Sequence, residues 1–285
     1  MTQAQLTLFD RYRPLLFSIA YRMLGSAMDA EDILQEAYLR WERADAVQTP
    51  KAFLSTIVTR LSIDRLRTAQ VERERYAGQW LPEPIFTEPD AVEHAELTDS
   101  LSIAFLTVLE SLTPVERAVF LLHDVFDFDY GEIARIVDKT EVNCRQLLRR
   151  ARQSVAQRRP RYAVTREQHM QVLDQFMQAC MDGDLNGLIA LLTDDAMEYS
   201  DGGGVPGVAL NVIHSAERVA RFWIALAQKT PEGMGIHVRD INGQPAVLMD
   251  FPDGRLYGAV MLDLAGGKIR ATYTIVNPDK LRALR

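Results

Sequence analysis

Cysteine is scarce in this chain of 285 residues, which has only Cys144 and Cys180. Neither lies at a spacing typical of metal ligands, and two cysteines cannot build a disulfide framework. Long apolar runs are also missing, so the sequence predicts neither a membrane-spanning helix nor a signal peptide, and a cytoplasmic location is expected. The net charge of −7 excludes a uniformly basic nucleic-acid binder, so any DNA-binding surface has to be local.

Lysine and arginine are absent from residues 76–99, where six acidic residues and three prolines favour an extended acidic linker. The run Trp80-Leu81-Pro82-Glu83-Pro84 is unusual for a linker, because tryptophan and leucine are costly to leave in water. It either packs on the preceding domain or anchors the linker elsewhere.

Three helix starts lie close together between residues 113 and 140. Thr113-Pro114-Val115-Glu116 has the pattern of a capping box, and a second start follows at Asp129. Thr140 is placed to cap a third helix after a short break. Two short helices joined by a turn of three or four residues are typical of a helix-turn-helix.

The third of these helices has two different faces. One stripe is apolar, and the opposite stripe is polar and basic, comprising Val142, Arg145, Gln146, Arg149 and Gln153. From Arg145 to Arg161 there are seven arginines and no acid. Arginine and glutamine suit base edges in the major groove, and arginine suits phosphates, so this helix is predicted to bind duplex DNA.

Further helices are expected before this motif, over residues 5–24 with Pro14 bending or ending the helix, from Asp29, and from Thr49. The runs DAEDILQEAYLRW, TPKAFLSTIVTRLSIDRLR and LTPVERAVFLLHDVFDFDYGEIA resemble, in this order, bacterial sigma factors of the extracytoplasmic-function (ECF) type. The resemblance implies three sets of contacts: core RNA polymerase through Asp32, Gln35, Glu36 and Leu39, the minus-ten promoter element through Arg60, Arg65 and Arg67, and the minus-thirty-five element through the basic helix.

After residue 161 the pattern changes to helices followed by strand-like runs separated by turns. The strands are expected at residues 235–239, 246–251, 256–264 and 269–276. This order resembles the SnoaL-like branch of the NTF2-like cone fold.

Three short runs resemble signatures of a sigma-J-like subgroup that carries such a domain. They are the WLPEP run, the glycine run after Asp201, and a run near the end of the chain. The resemblance assigns a regulatory contact to Trp80, Leu81, Asp201, Gly202, Gly203, Gly204, Asn277, Pro278, Asp279, Lys280 and Leu281. The family's glycine run usually ends in lysine, but Val205 stands there. The acidic linker could also pair with Lys280 and Arg282, but exposed pairs contribute only about 0–1 kcal/mol each, so the apolar contact of Trp80 and Leu81 is expected to decide.

Catalysis by the C-terminal part is less favoured than a regulatory role. Residues 202–207 match GxGxxG, but no βαβ unit surrounds them, so a dinucleotide site is not favoured. The acid–base candidates of a SnoaL-like enzyme are His169, Glu198, Asp201, His214, His237 and Asp263. No two of them have a spacing in the sequence that indicates a catalytic pair. Binding of a small-molecule ligand by this domain is kept as a hypothesis.

The sequence therefore predicts a multidomain protein with two all-α sigma domains followed by an α+β NTF2-like/SnoaL-like cone domain. Region 2 is expected at 1–75, the linker at 76–99, region 4 at 100–161 and the regulatory domain at 165–285. We expect a transcription initiation factor that binds core RNA polymerase and promoter DNA without a cofactor, metal or catalytic residue. The alternatives are a one-component DNA-binding regulator with a ligand pocket and an enzyme fused to a DNA-binding module.

Overall fold

The computed structural model of this chain describes residues 3–44, 47–87, 100–158 and 164–284. They form two compact units, one of Met1–Arg75 with Phe105–Pro160, the other of Tyr76–Ala104 with Arg161–Arg285. No helix in the described ranges has the length and apolar character needed to span a membrane.

The first unit is built from helices. In order they are α1 (Gln3–Leu24), α2 (Ala27–Glu42), α3 (Pro50–Glu74), α4 (Ile103–Leu109, which begins in the second unit), α5 (Pro114–Asp124), α6 (Tyr130–Val137) and α7 (Glu141–Arg158). Pro14 lies inside α1, and the helix continues past it to Leu24. Pro14 and Asp10 are both exposed, so the Asp10 carbonyl that loses a helical partner faces water.

The second unit combines helices with a sheet. In order it contains α8 (Arg166–Asp182), α9 (Leu185–Leu191), β1 (Leu192–Asp201), β2 (Ile213–His214), α10 (Ala216–Lys229), β3 (Gly235–Ile241), β4 (Gln244–Asp250), β5 (Leu256–Ala265), β6 (Lys268–Ile275) and a 3-10 helix (Lys280–Leu284). The strand order is β2-β1-β6-β5-β4-β3, and β1 runs parallel to β6 whereas the other pairs are antiparallel. The fold class predicted from the sequence, two helical domains followed by an α+β domain, is confirmed.

Both faces of this sheet are covered. One face packs against α8, α9 and α10 through a core that includes Phe176, Trp223 and Leu262. The other face packs against Leu81 and Ile103, which come from either side of residues 88–99, and against the C-terminal 3-10 helix. The flanks of the acidic segment therefore belong to the second unit, whereas the sequence assigned residues 76–99 to a separate linker.

Strand β1 is the longest element that the sequence did not predict. Its buried positions include Glu198, Ser200 and Asp201, so it lacks the apolar alternation by which a strand is recognised. The chain buries these polar side chains because neighbouring strands and the linker supply hydrogen-bond partners for them.

Asn242 joins the two flanks of the acidic segment. It occupies the β3–β4 turn with a φ of 53°, which asparagine tolerates better than most residues, and it is buried. Its backbone amide donates to the Ile85 carbonyl at 2.9 Å, and its side-chain oxygen accepts from the Ile85 amide at 3.1 Å. Its side-chain nitrogen donates to the Leu101 carbonyl at 2.9 Å. One side chain thus fixes the chain before and after residues 88–99.

Candidate DNA-binding and regulatory sites

The predicted helix-turn-helix is formed by α5, α6 and α7 in the first unit. Thr113 and Glu116 form the predicted capping box at the start of α5, and Asp129 and Glu132 form a second one at the start of α6. The hydroxyl of Thr140 accepts from the Asn143 amide at 3.2 Å at the start of α7. These caps satisfy amides that have no partner inside the helix, and they fix where each helix begins.

The recognition helix α7 has the two faces expected from its sequence. Cys144, Leu148 and Ala151 are buried. The opposite side exposes all five predicted DNA-contacting residues, namely Val142, Arg145, Gln146, Arg149 and Gln153.

Arg145 is held in place within this exposed face. Its guanidinium lies 4.6 Å from the centroid of the Tyr130 ring and forms an ion pair with Glu141 at 2.9 Å. Both contacts order the arginine before any ligand binds, which lowers the entropy that binding costs.

The four residues assigned to polymerase binding lie on α2. Asp32, Gln35 and Leu39 are exposed, while Glu36 is half-buried and pairs with Arg40 at 2.8 Å. Leu39 is 43% exposed. A cavity of about 350 Å³, lined in part by Gln35, Tyr38 and Leu39, lies beside this face.

The three arginines assigned to the minus-ten element have different surroundings. Arg67 is exposed and pairs with Asp64 at 2.9 Å, and Arg65 pairs with Asp29 at 2.9 Å. Arg60 instead donates to the carbonyls of Arg135 and Ile136, both at 2.8 Å, at the C-terminal end of α6. It thereby satisfies carbonyls that a helix end leaves without an internal partner.

Two further arginines, which the sequence did not single out, cap the C-terminal end of α1. Arg117 is buried and donates to the Met23 carbonyl at 2.7 Å, and Arg73 donates to the Leu24 carbonyl at 2.7 Å. Both arginines also pair with Glu110. Burial lowers the pKa of Arg73 from its ordinary value, and the nearby Glu110 carboxylate opposes this change. A pattern search misses such residues because an arginine inside an amphipathic helix predicts a solvent face.

A buried polar cluster in the second unit brings the three short runs together. Asp201 is fully buried and accepts hydrogen bonds from the Tyr76 hydroxyl at 2.5 Å, from the Leu81 amide at 2.8 Å and from the Lys280 ammonium at 2.6 Å. Burial, followed by the hydrogen bond to Asp201, raises the pKa of Tyr76 well above its usual range, so the phenol stays protonated and donates.

Lys280 is the cation at the centre of this cluster. Besides Asp201 it donates to the Leu81 carbonyl, and its nitrogen lies 4.1 Å from the centroid of the Trp80 ring and 5.1 Å from that of Tyr76. The sequence left an exposed pair of Lys280 with the acidic linker as a minor alternative, and the structure instead buries Lys280 with Asp201. Arg282 does make an exposed pair, with Asp279 at 2.7 Å.

Gly203 gives this cluster the room it needs. Its φ is +58°, and a Cβ atom added there would lie 2.5 Å from the side-chain nitrogen of Asn277. That nitrogen donates to the Tyr76 hydroxyl oxygen at 2.7 Å. The glycine run is therefore explained by close approach to the C-terminal run, and Val205, where the family has lysine, is partly exposed next to it.

The acid–base candidates of the second unit are bonded to separate partners. Glu198 is fully buried against Ser200 and Thr272, and burial raises its pKa to about 7. Asp263 pairs with Arg270 and His237 pairs with Asp250 at 3.1 Å. Burial lowers the pKa of His169 to about 4. The described contacts assemble no two of these groups as an acid–base pair.

These features define a DNA-binding protein with a helix-turn-helix, a preceding helical domain and an added α+β domain. Residues 8–71 match the family model of Sigma-70 region 2, and residues 102–155 match that of Sigma-70, region 4. The ECF RNA polymerase sigma factor SigJ of Mycobacterium tuberculosis is 35% identical over 285 residues, which cover 95% of this chain and 91% of that protein. The probable ECF RNA polymerase sigma factor SigI of the same species is 32% identical and covers 96% of this chain and 93% of that protein.

A solved structure agrees with these relatives. The crystal structure of M. tuberculosis SigJ matches with a TM-score of 0.80 and 32% identity over 98% of both chains. The chain belongs to the ECF RNA polymerase sigma factors. Factors of this family bind core RNA polymerase and promoter DNA and direct transcription initiation.

Proposed function

We propose that this sigma factor carries out its two recognition tasks through the surfaces predicted from the sequence. Core polymerase binds the α2 face of Asp32, Gln35, Glu36 and Leu39. The upstream promoter element binds the exposed face of α7. The observation that carries this proposal is the separation of faces on α7, where the apolar residues are buried and every predicted DNA-contacting residue is exposed.

The minus-ten element is proposed to bind α3 near Arg60, Arg65 and Arg67. Two donor nitrogens of Arg60, Nε and one Nη, are engaged by the carbonyls of Ile136 and Arg135, and Arg60 is proposed to leave them when it contacts DNA. Region 2 and region 4 are therefore proposed to separate when the promoter is engaged. Binding to polymerase and DNA drives this change if its free energy exceeds the cost of breaking the Arg60 contacts.

The C-terminal domain is proposed to control promoter activity, acting in the cytoplasm as part of the initiation complex and not as an enzyme. Its support is the Asp201–Lys280 cluster, which fixes Leu81 of the segment between regions 2 and 4. A domain that holds this segment can favour one arrangement of the two sigma regions over another. A small-molecule ligand inside the domain remains a prediction.

The test is in vitro transcription with core RNA polymerase on a panel of promoter fragments. Full-length protein is compared with a truncation from Asn277 and with a truncation from Arg166, at matched core occupancy. We expect the truncation from Asn277 to raise promoter activity, because it removes Lys280 and loosens the linker. The truncation from Arg166 should lower promoter activity if the domain also supports the open complex. Equal activity of all three proteins contradicts the control role, and no promoter-specific transcript from any of them contradicts the sigma assignment of these surfaces.

A further inference from the structure

Strand β3 is one edge of the sheet in the second unit. The described part of the linker pairs with its C-terminal end: the Thr87 amide donates to the Asp240 carbonyl at 3.0 Å, and Phe86 forms an antiparallel bridge with Ile241. Within the described residues, no strand lies beside residues 235–239. Among those residues, this stretch is therefore an edge that continues directly from an existing strand pairing.

The backbone of this edge points outward at alternate residues. Residues two apart on a strand direct their N–H and C=O groups to the same side, and Asp240 directs its carbonyl outward to Thr87. The regular register between β3 and β4 then places the outward groups on Val238 and Ile236. An edge with such groups is a template for an additional strand.

An apolar groove lies beside this edge. Its volume is about 1080 Å³, and its lining includes Phe86, Ile236, Arg239, Leu248, Leu256 and Leu284. The side chains of Ile236 and Phe86 are 50% and 43% exposed. Two large apolar side chains left in water next to a groove indicate a surface that a partner covers.

The charge of the groove is positive. Arg239 is exposed with its guanidinium 5.7 Å from the centroid of the Phe86 ring, and it has no acidic partner in the part of the chain that the structure describes. Arg255 also lines the groove, paired with Asp253, while His237 is paired with Asp250. A carboxylate beside Arg239 is therefore the complementary group.

We infer that the open edge of β3 docks an extended peptide segment of a partner protein, with an acidic side chain against Arg239 and an apolar side chain in the groove. The backbone of the segment pairs with Ile236 and Val238 and supplies affinity that does not depend on sequence. The groove and Arg239 select the side chains. A second copy of this chain fits less well, because antiparallel pairing of two β3 edges places no carboxylate opposite Arg239.

The probes are two synthetic peptides, acetyl-Glu-Thr-Val-Thr-Glu-amide and its counterpart with lysine in both glutamate positions. Each is titrated into the full-length, isotope-labelled protein, and the amide signals of residues 235–241 are followed by nuclear magnetic resonance. We expect the acidic peptide to bind more tightly and to shift the signals of Ile236 and Val238.

Two substitutions test the backbone contact and one tests the charge. Ile236→Pro removes an outward N–H at an edge position where proline is tolerated, and it should weaken binding about tenfold. Ile236→Thr keeps the N–H and strand propensity and should change binding about threefold or less. Arg239→Glu should reverse the preference toward the lysine peptide.

The proposal is overturned by absence of binding by the acidic peptide, by equal binding of Ile236→Pro, or by equal binding of both peptides to the parent protein. A concentration-dependent dimer that Ile236→Pro abolishes in sedimentation also overturns it, in favour of self-association. If Ile236→Pro does not fold, Arg239→Glu decides alone, because unchanged binding of the acidic peptide to that variant contradicts the assigned groove.

Discussion

The ammonium nitrogen of Lys280 lies 2.6 Å from a carboxylate oxygen of Asp201, and the two side chains are 7% and 0% exposed. Charges removed from water this completely need partners for their remaining donors and acceptors. Lys280 has the Leu81 carbonyl and the Trp80 ring, and Asp201 has Tyr76 and the Leu81 amide. Each charge is thus satisfied by groups that also hold the linker.

Removing one partner of this pair should destabilise the second unit strongly. Lys280→Met or Asp201→Asn leaves the other group with an uncompensated burial cost, and we expect a loss of about 3–5 kcal/mol in the free energy of unfolding. Urea unfolding of the full chain, followed by tryptophan fluorescence, measures it. The matched control is Asp279→Asn, which breaks the exposed pair with Arg282 and should cost about 1 kcal/mol or less. Similar losses for the buried and the exposed pair would contradict this account.

Charge reversal on α2 should weaken polymerase binding. Asp32→Lys with Glu36→Lys reverses both carboxylates of the proposed docking face. A partner surface that complements these carboxylates then meets like charges, which cost several kcal/mol, so affinity for core polymerase should fall at least about tenfold. The control is Asp64→Lys, which makes the same kind of charge change at an exposed site on a different helix, α3. Unchanged core affinity in a folded Asp32/Glu36 variant removes the assignment.

Base readout by α7 predicts distinct effects for its polar residues. Replacing a base-reading residue among Arg145, Gln146 and Arg149 by alanine should cost about 1–3 kcal/mol and relax specificity at one base position. Arg152→Ala is the control, since Arg152 is engaged by Asp124 at 2.6 Å. The measurement is promoter-mutant profiling with each variant. Identical base preferences for all three variants count against direct readout.

Loss of the Arg60 contacts should loosen the end of α6. Arg60→Met removes two charge-assisted hydrogen bonds, one of them at an exposed site, and we expect a local destabilisation of about 1–3 kcal/mol. Hydrogen exchange with mass spectrometry should show faster exchange in peptides from the C-terminal half of α6. Arg67→Met, which breaks only an exposed pair, is the control and should leave α6 unchanged. Equal exchange in both variants would show that Arg60 does not stabilise this contact.

Two buried groups should give the second unit opposing responses to pH. Burial raises the folded-state pKa of Glu198 from 4.5 to about 7. The free energy of unfolding therefore falls by up to about 3 kcal/mol as pH rises from 4.5 to 7. The folded-state pKa of His169 is lowered from 6.5 to about 4, so stability is lost as pH falls from 6.5 toward 4. Glu198→Gln should therefore be more stable than the parent at pH 7.5, and His169→Gln should reduce the loss at pH 5. Parallel unfolding curves of parent and variants at both pH values would contradict these assignments.

The sequence predicted the elements whose signals are local. The caps at Thr113 and Asp129 and the faces of α7 follow from neighbouring residues, and the structure has them where they were expected. Strand β1 escaped prediction because its buried side chains are polar. Its partners come from residues far along the chain, such as Lys280, which lies 79 positions from Asp201. The hydrogen bonds of Arg60 to the end of α6 were not predicted for the same reason, since helix-end carbonyls carry no sequence signal of their own.

Asn242 has a consequence for how the chain can vary in length. Because it binds Ile85 before the acidic segment and Leu101 after it, the chain on either side of residues 88–99 is fixed on one domain. Doubling the length of a closed loop costs only about 0.6 kcal/mol of chain entropy. A change of length between these two ends should therefore cost little, whereas a single deletion between Leu81 and Ile85 would prevent Leu81 from meeting Asp201 and Lys280 while Ile85 meets Asn242.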